Sequence, residues 1–468
     1  MGKINVVVGG GIAGLFASLI LAERDKKRVV LVEREDEVGG LLRCFDYGAY
    51  GRFDYGMHNM YETGIAELDS LLLGLLPVGE WQFLEGVERD LAGLYFSGSL
   101  QVNSPFPDLR KLPVADWDAC LVGLFRQLDE PSVSSQNNAY DYVASNFGVP
   151  IAEVVDKALL KQFGKPAREL TKFSTQLTTL SRVVMFGEEC FSDLILSSQL
   201  RQRIAYPEQR SLPPEWHSGR KAYYPAKYGI YRVIEALVER LARAGVQILT
   251  GAQVKSLVVE ADVVSSVSIE SNREVQTLRN VDKLIWTSGV PSIAAMLGVD
   301  LKSYTFDPPR RTVVVNILLK TAPVMGDLYY FYCYEPGFKT FRVTNFTAYC
   351  AGAPRNGLFP IAVELLLDSP LPEKDEMISI AVSELLKFGV IATSDCVEFC
   401  APEVLVSGFP MPSTRNFDAL CDMRDRIAGF KLNNLVLLGV MSEDNIFFQR
   451  DVLAQTYEKL TERVSNHG

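Results

Sequence analysis

Apolar and polar positions recur with different periods along this chain, and those periods divide it into elements. Residues 4–8, "INVVV", form a short, largely β-branched run followed directly by glycine, the pattern of a buried strand. From Ile12 the stretch "IAGLFASLILAERDKK" has helical composition and ends in charge. "RVVLVE" (28–33) reads as a second strand ending at Glu33. Residues 230–245, "IYRVIEALVERLARAG", predict a helix stopped by Gly245. The stretch 61–215 is mostly helical by period. The stretch 291–427 instead carries "RTVVVNILLK", "DLYYFYCY", "FKTFRVTNF" and "FPIAVELLL", β-rich runs separated by glycine and proline turns. These predict an antiparallel sheet.

The junction between the first strand and the first helix carries the strongest chemical signal. Residues 4–22 are apolar and about long enough to span a bilayer, so they could pass for a signal peptide or an anchor. Glycines at 9, 10, 11 and 14 would weaken such a helix, and no small-residue cleavage site precedes the charges. Gly9-x-Gly11-x-x-Gly14 between a strand and a helix instead predicts a phosphate-binding turn. The first glycine permits a tight bend, the second lets a pyrophosphate approach the backbone, and the third lets the helix pack on the strand. Glu33 follows at about twenty residues, where a carboxylate can accept hydrogen bonds from a ribose. A dinucleotide site is the expectation.

Composition changes this picture little. A chain of 468 residues is expected to form two domains, and a net charge of −10 argues against a nucleic-acid partner. The one basic stretch, "ERDKKR" (23–28), is a mixed-sign helix end. The eight cysteines are scattered, as expected of free thiols in a reducing compartment. Cys396 and Cys400 form the only close pair, with no second pair at ligand spacing, so no metal is expected. With no signal or spanning segment recognised, a cytoplasmic protein is expected. Of the three histidines, His467 falls in a tail expected to fray, which leaves His58 and His217.

The residues after Glu33, "REDEVGGLLRC", add a second glycine pair, Gly39-Gly40. This continuation resembles the extended fingerprint of the FAD-binding superfamily of amine oxidases, phytoene desaturases, protoporphyrinogen oxidases and UDP-galactopyranose mutases. There the paired glycines run close to the cofactor's phosphates and ribityl chain, so the resemblance implies FAD. It continues through "YP…G" at Tyr224-Pro225 and Gly229, through "VQILTGAQV" ending at Val254, through 281–297, and through "NLVLLGVMSEDNIFF" with the last helix. "AYDYVASNFGVPIAEVVDKALLKQFGKPARELT" resembles the helical block of the oxidase and mutase relatives. The implied fold is α/β: a discontinuous Rossmann-like FAD-binding domain with an inserted α+β substrate domain, a helical block plus an antiparallel sheet. Residues 1–60, 216–290 and 428–468 would bind FAD, and 61–215 and 291–427 the substrate. The implied cofactor contacts are Gly9, Gly11, Ile12, Ala13 and Gly14 in the turn, and Glu33 and Arg34 after the second strand. Gly39, Gly40, Leu41 and Leu42 follow, then Gly56, Met57 and His58 in "FDYGMHNM", Val254 through its backbone, Gly439 at the flavin, and Val452.

Two chemistries share this scaffold. The resemblance implies either hydride transfer from a small or sugar-linked substrate to flavin N5, or a non-redox mutase in which reduced flavin attacks a nucleotide sugar. A protein that binds flavin without catalysis is the third reading. A mutase needs arginines for its substrate's diphosphate, and Arg168, Arg182, Arg220 and Arg342 lie in segments that could supply them. Where the mutases carry "GR…Y.Y", however, this chain reads "GVMSEDNIFF", with Val440 in place of the arginine. An oxidoreductase is therefore the leading expectation. Tyr223, Tyr224, Tyr330 and Tyr334 are candidates for an aromatic cage, although aromatics in a sheet are usually core. "FDYGMH" matches the "FD-x-G-x-H" of the oxidase and mutase relatives, which places His58 near the isoalloxazine to position it, with acid–base work as the alternative. His58, Arg220, Tyr224 and Arg342 are the expected catalytic set. The expected partner is a small molecule, possibly a nucleotide sugar.

Overall fold

The computed structural model describes residues 2–84, 91–129, 137–217, 220–405, 408 and 410–461; the tail with His467 lies outside them. The chain forms two compact units. One comprises Met1–Phe83, Arg220–Thr305 and Asp418–Gly468, and the other Leu84–Gly219 and Phe306–Phe417.

The first unit is organised by a five-stranded sheet in the order Gln247–Leu249, Arg28–Val32, Ile4–Val8, Val281–Trp286, Leu435–Leu437. Every neighbouring pair is parallel. Its central strand is buried at all five positions, which is why "INVVV" shows no alternation. The helix Ile12–Arg24 connects the first two strands and buries nine consecutive residues, Ala13 through Leu21. The helix Tyr231–Arg243 buries Val233, Ile234, Leu237 and Leu241 at helical spacing. Gly245, at φ +75°, follows it in the left-handed conformation that favours glycine. Beyond the sequence reading, Ala252–Glu260, Val263–Ser271 and Glu274–Arg279 make a three-stranded antiparallel sheet. Val254, Val264, Val267 and Ile269 bury one of its faces against Val6, Val8, Val30 and Val32. Its second hairpin turns through Asn272 and Arg273, both at positive φ, as a two-residue turn between twisted strands requires.

The second unit holds a seven-stranded sheet in the order Val397–Val404, Arg311–Leu319, Phe359–Leu367, Thr340–Asn345, Tyr330–Cys333, Ala92–Phe96, Ser99–Gln101. It departs from the expectation at one edge. The last two strands come from the segment read as mostly helical, and Ala92–Phe96 pairs with Tyr330–Cys333 in parallel, so the sheet is mixed. The run "AGLYF" is short, and its glycine hides the strand period. An added Cβ on Gly93 would stand 2.6 Å from Leu328 Cδ1 and 2.8 Å from Gln101 O, so the glycine allows close packing. One face of the sheet, with Val313, Val315, Ile317, Val343, Ile361 and Val363, packs on Met377, Ala381, Leu385 and Phe388 of the helix Lys374–Phe388. The helices Val114–Asp129, Ala139–Phe147 and Val149–Phe163 form the helical part. All eight cysteines are free thiols, and among the described residues no acidic, histidine or cysteine cluster is arranged to hold a metal. No described helix is long and apolar enough to cross a membrane.

Lys161, on the helix Val149–Phe163, is only 8% exposed. Its ammonium donates to Cys333 O at 2.7 Å and to Thr340 O. Burial pushes its pKa down to about 8, against the raising effect of Cys333 and Glu384. The folded chain thus gives up this proton at lower pH than the unfolded chain, and the group's contribution to stability rises with pH above about 8. Between about pH 7.5 and pH 10.5, the unfolding free energy of wild type relative to Lys161→Met is expected to move in favour of wild type by up to about 3 kcal/mol. Urea unfolding at both pH values checks this, and a pH-independent difference contradicts it.

Candidate functional site

The turn after the first strand is shaped by what its glycines lack. Gly9 sits at φ +104°, and an added Cβ there would lie 2.3 Å from Thr287 Oγ1. A Cβ on Gly14 would lie 1.8 Å from Gly9 O, so the helix Ile12–Arg24 rests directly on the strand end. Gly11 is different: nothing lies within 4 Å of its missing Cβ, and its φ of −70° suits any residue. The first intrahelical bond runs from Leu15 N to Gly11 O at 3.0 Å, and no side chain caps this end. The amides of Ile12, Ala13 and Gly14 are therefore the open donors of a helix N-terminus, next to open space at Gly11. That is the arrangement in which helix N-termini bind anions.

Glu33 stands directly after the second strand and binds the turn. Its carboxylate accepts from Gly10 N at 2.5 Å and from Glu35 N at 2.9 Å. A carboxylate offers about four lone-pair directions, so capacity remains for ribose hydroxyls. Arg34 turns away, mostly exposed, and pairs with Glu35 at 3.0 Å. The second glycine pair folds back onto the first turn. Gly39, at φ +119°, donates its N–H to Gly10 O at 2.7 Å, and a Cβ on Gly40 would stand 3.2 Å from Gly11 Cα. Leu42 is buried beneath this loop and Leu41 is exposed. Val254 is buried on the strand Ala252–Glu260, whose first residue donates its N–H to Glu33 O at 2.9 Å.

Thr287, in "WTSGVP", ties these pieces together and was not singled out from the sequence. Its hydroxyl contacts Val8 O at 2.9 Å and Gly9 O at 3.2 Å, and its carbonyl lies 3.5 Å from the position of a Cβ on Gly439. Gly439, at φ +97°, donates to Gln455 Oε1 at 3.3 Å on the last helix, Gln449–Thr461, where Val452 is buried.

The loop "FDYGMHNM" is anchored by another residue that sequence reasoning passed over, Asp54. It is fully buried. Its carboxylate accepts from Tyr224 Oη at 2.5 Å and from Ile230 N at 3.0 and 3.1 Å. Its own N–H donates to Tyr228 Oη at 3.2 Å, and Gly229 N donates to Tyr224 Oη at 3.2 Å. A buried carboxylate thus sits at the N-terminus of the helix Tyr231–Arg243, where the helix dipole favours negative charge. From this anchor Gly56 turns at φ +92°, Met57 is buried, and His58 is half-buried on the loop before the strand Met60–Tyr61. Arg220 is exposed beside Gly64. Tyr223 is fully buried against Trp81, a core position.

In the second unit, Arg342 lies in register with Glu364 on one neighbouring strand and Tyr332 on the other. Its guanidinium forks onto Glu364 at 2.8 and 3.0 Å, with the Tyr330 and Tyr332 rings 5.8 and 5.9 Å away. Burial opposes the charge, but the Glu364 carboxylate and Tyr332 outweigh it and hold the Arg342 pKa above its ordinary value. Arg168 pairs with Asp141 at 3.2 Å and stacks on Tyr140, and Arg182 is exposed. Tyr330 and Tyr334 are buried, and Tyr334 Oη accepts from Thr179 N at 3.1 Å.

Gly11→Val is expected to leave unfolding within about 1 kcal/mol of wild type, the cost of a poorer helix cap, while abolishing dinucleotide binding. Gly14→Ala, which drives a methyl into Gly9 O, is expected to destabilise the fold by about 1–3 kcal/mol or more. Calorimetry with and without the dinucleotide separates the two effects, and retained binding in Gly11→Val contradicts the first. Asp54→Ala leaves Ile230 N and the Tyr224 hydroxyl without their acceptor and is expected to cost about 3 kcal/mol or more in urea unfolding. A loss below about 1 kcal/mol would contradict that anchoring role.

Residues 7–68 match the family model of an NAD(P)-binding Rossmann-like domain. No curated protein sequence matches the chain significantly. Among solved structures, the chain is similar to a reduced UDP-galactopyranose mutase, with TM-score 0.76 and 19% identity over 98% of this chain and 95% of that one. It is also similar to a protein from Exiguobacterium sp. 255-15 provisionally named a protoporphyrinogen oxidase, with TM-score 0.69 and 15% identity over 98% of each. A CLA-producing fatty acid isomerase from P. acnes follows, with TM-score 0.55 and 14% identity over 98% of each. At these identities the likeness is one of fold: the chain has the mixed α/β architecture shared by those proteins, with a Rossmann-like unit.

Proposed function

We propose that this protein is an FAD-dependent oxidoreductase that oxidises a small or sugar-linked substrate by hydride transfer to flavin N5. The observation that carries this reading is the second glycine loop. Gly39 bonds to Gly10 and Gly40 lies against Gly11, so a second close-approach segment extends the cradle beyond the single turn that an NAD(P) pyrophosphate needs. When bound, FAD would supply the hydride acceptor. The chain's own residues do the rest. The amides of Ile12, Ala13 and Gly14 hold the pyrophosphate, and Glu33 takes the ribose hydroxyls. The loop of Gly56, Met57 and His58, fixed through Asp54 and Tyr224, positions the ring. His58 orients the ring or the substrate by hydrogen bonding, and Tyr224 works by holding the loop. Substrate recognition is assigned to the second unit.

A non-redox flavin-dependent sugar-nucleotide mutase is the second reading, favoured by the likeness in fold to the galactopyranose mutase and by the "FD-x-G-x-H" stretch. Two observations count against it. Val440 stands where those relatives carry arginine, and the Arg342 fork is already committed to Glu364.

Anaerobic mixing of the FAD-loaded protein with a panel of nucleotide sugars and amines separates the readings. An oxidoreductase loses its oxidised-flavin absorption on meeting its substrate. A mutase turns over only after prior reduction by dithionite and yields a product of equal mass. Bound flavin that neither bleaches nor turns over with any member of the panel would favour a binding role without catalysis.

A further inference from the structure

Outside the dinucleotide site, the second unit contains a cavity of about 230 Å³ lined by Lys157, Leu160, Lys161, Arg310 and the turn from Pro336 to Lys339. Its walls come from three separate parts of the chain. Lys157, Leu160 and Lys161 share one face at the end of the helix Val149–Phe163. Arg310 precedes the strand Arg311–Leu319, and the turn joins Tyr330–Cys333 to Thr340–Asn345.

Four cations meet here with little negative charge to balance them. Arg310 is neutralised: it forks onto Asp368 at 3.0 and 2.9 Å and donates to Lys161 O at 2.6 Å. The nearby carboxylate of Glu384 faces backbone, accepting from Lys339 N and Thr340 N, each at 2.8 Å. Among the described residues, none of Lys157, Lys161 and Lys339 makes an ion pair. Lys161 commits two of its three N–H groups to carbonyls, which leaves one. Part of the wall is apolar. Leu160 is 47% exposed, and the Phe338 ring stacks on Phe388 at 5.0 Å, anchored to the core of the sheet.

We propose that this cavity binds a compact oxyanion, a carboxylate or phosphate carried on a small apolar body, at a site separate from the dinucleotide cradle. Uncompensated ammonium groups favour the anion, and Leu160 and Phe338 favour the apolar part. The volume lies below the roughly 300–1,000 Å³ typical of pockets for larger ligands, so a dinucleotide or nucleotide sugar is not the occupant.

The test is calorimetric titration of the full chain at low salt with phenyl phosphate, benzoate and inorganic phosphate. Phenyl phosphate and benzoate are expected to bind saturably, and each several-fold more tightly than inorganic phosphate. Lys157→Glu and Lys339→Glu reverse charge at exposed positions, so folding should survive, as unfolding midpoints will show. Each is expected to weaken binding by about tenfold or more. Heats that do not saturate, binding that persists in the doubly substituted chain, or equal affinity for inorganic phosphate would overturn the proposal.

Discussion

The first unit depends on one close approach, that of the Gly14 backbone to Gly9 O. Any side chain at Gly14 would overlap that oxygen. Without one, the helix Ile12–Arg24 seats on the end of the central strand, and three consequences follow. The helix buries nine residues in a row, its open amides stand at the carboxyl end of the central strand, and that end of the sheet has the form of an anion site. Thr287 and Gly10 secure the same turn from two sides, through Val8 O and through Glu33. The second glycine loop settles against Gly10 and Gly11. A hydrophobic core and the proposed phosphate cradle thus rest on the same contact.

Much of this was legible because the chemistry there is backbone chemistry. A strand, three spaced glycines, a helix and a distant acid are local features with fixed separations, and the structure places them together. The strand runs of the second unit were also legible, since β-branched stretches such as "RTVVVNILLK" keep their character whatever their partner. What could not be read depends on tertiary pairing. Ala92–Phe96 is too short to declare a period, and its pairing, parallel with Tyr330–Cys333 and antiparallel with Ser99–Gln101, defines it as a strand. Asp54 looked like one letter of a motif around His58. Its importance comes from Tyr224 and Ile230, about 170 residues away, which no spacing argument connects to it. Thr287 was hidden in the same way, inside a turn recognised only as the exit from a strand.

The arginines show a related limit. Sequence can nominate a guanidinium but cannot show what neutralises it. Arg342 shares a cross-strand row with Glu364 and Tyr332, and a buried fork of this kind holds its donors in place against a competing anion. The lysines around the cavity of the second unit drew no attention in the sequence, yet they form no ion pairs among the described residues. Charge that is available to a ligand is a property of the fold, and in the second unit it is found at Lys157, Lys161 and Lys339, not at Arg342.

In the proposed reading, the open amides of Ile12, Ala13 and Gly14, with the loop at Gly39 and Gly40, hold the phosphates of FAD. Amide hydrogen exchange with and without added FAD tests it most directly. Binding is predicted to slow exchange in the segments spanning residues 9–15 and 38–43, with the strands of the second unit's sheet unchanged. Uptake of FAD with no added protection at residues 9–15, or no uptake at all, would contradict the account.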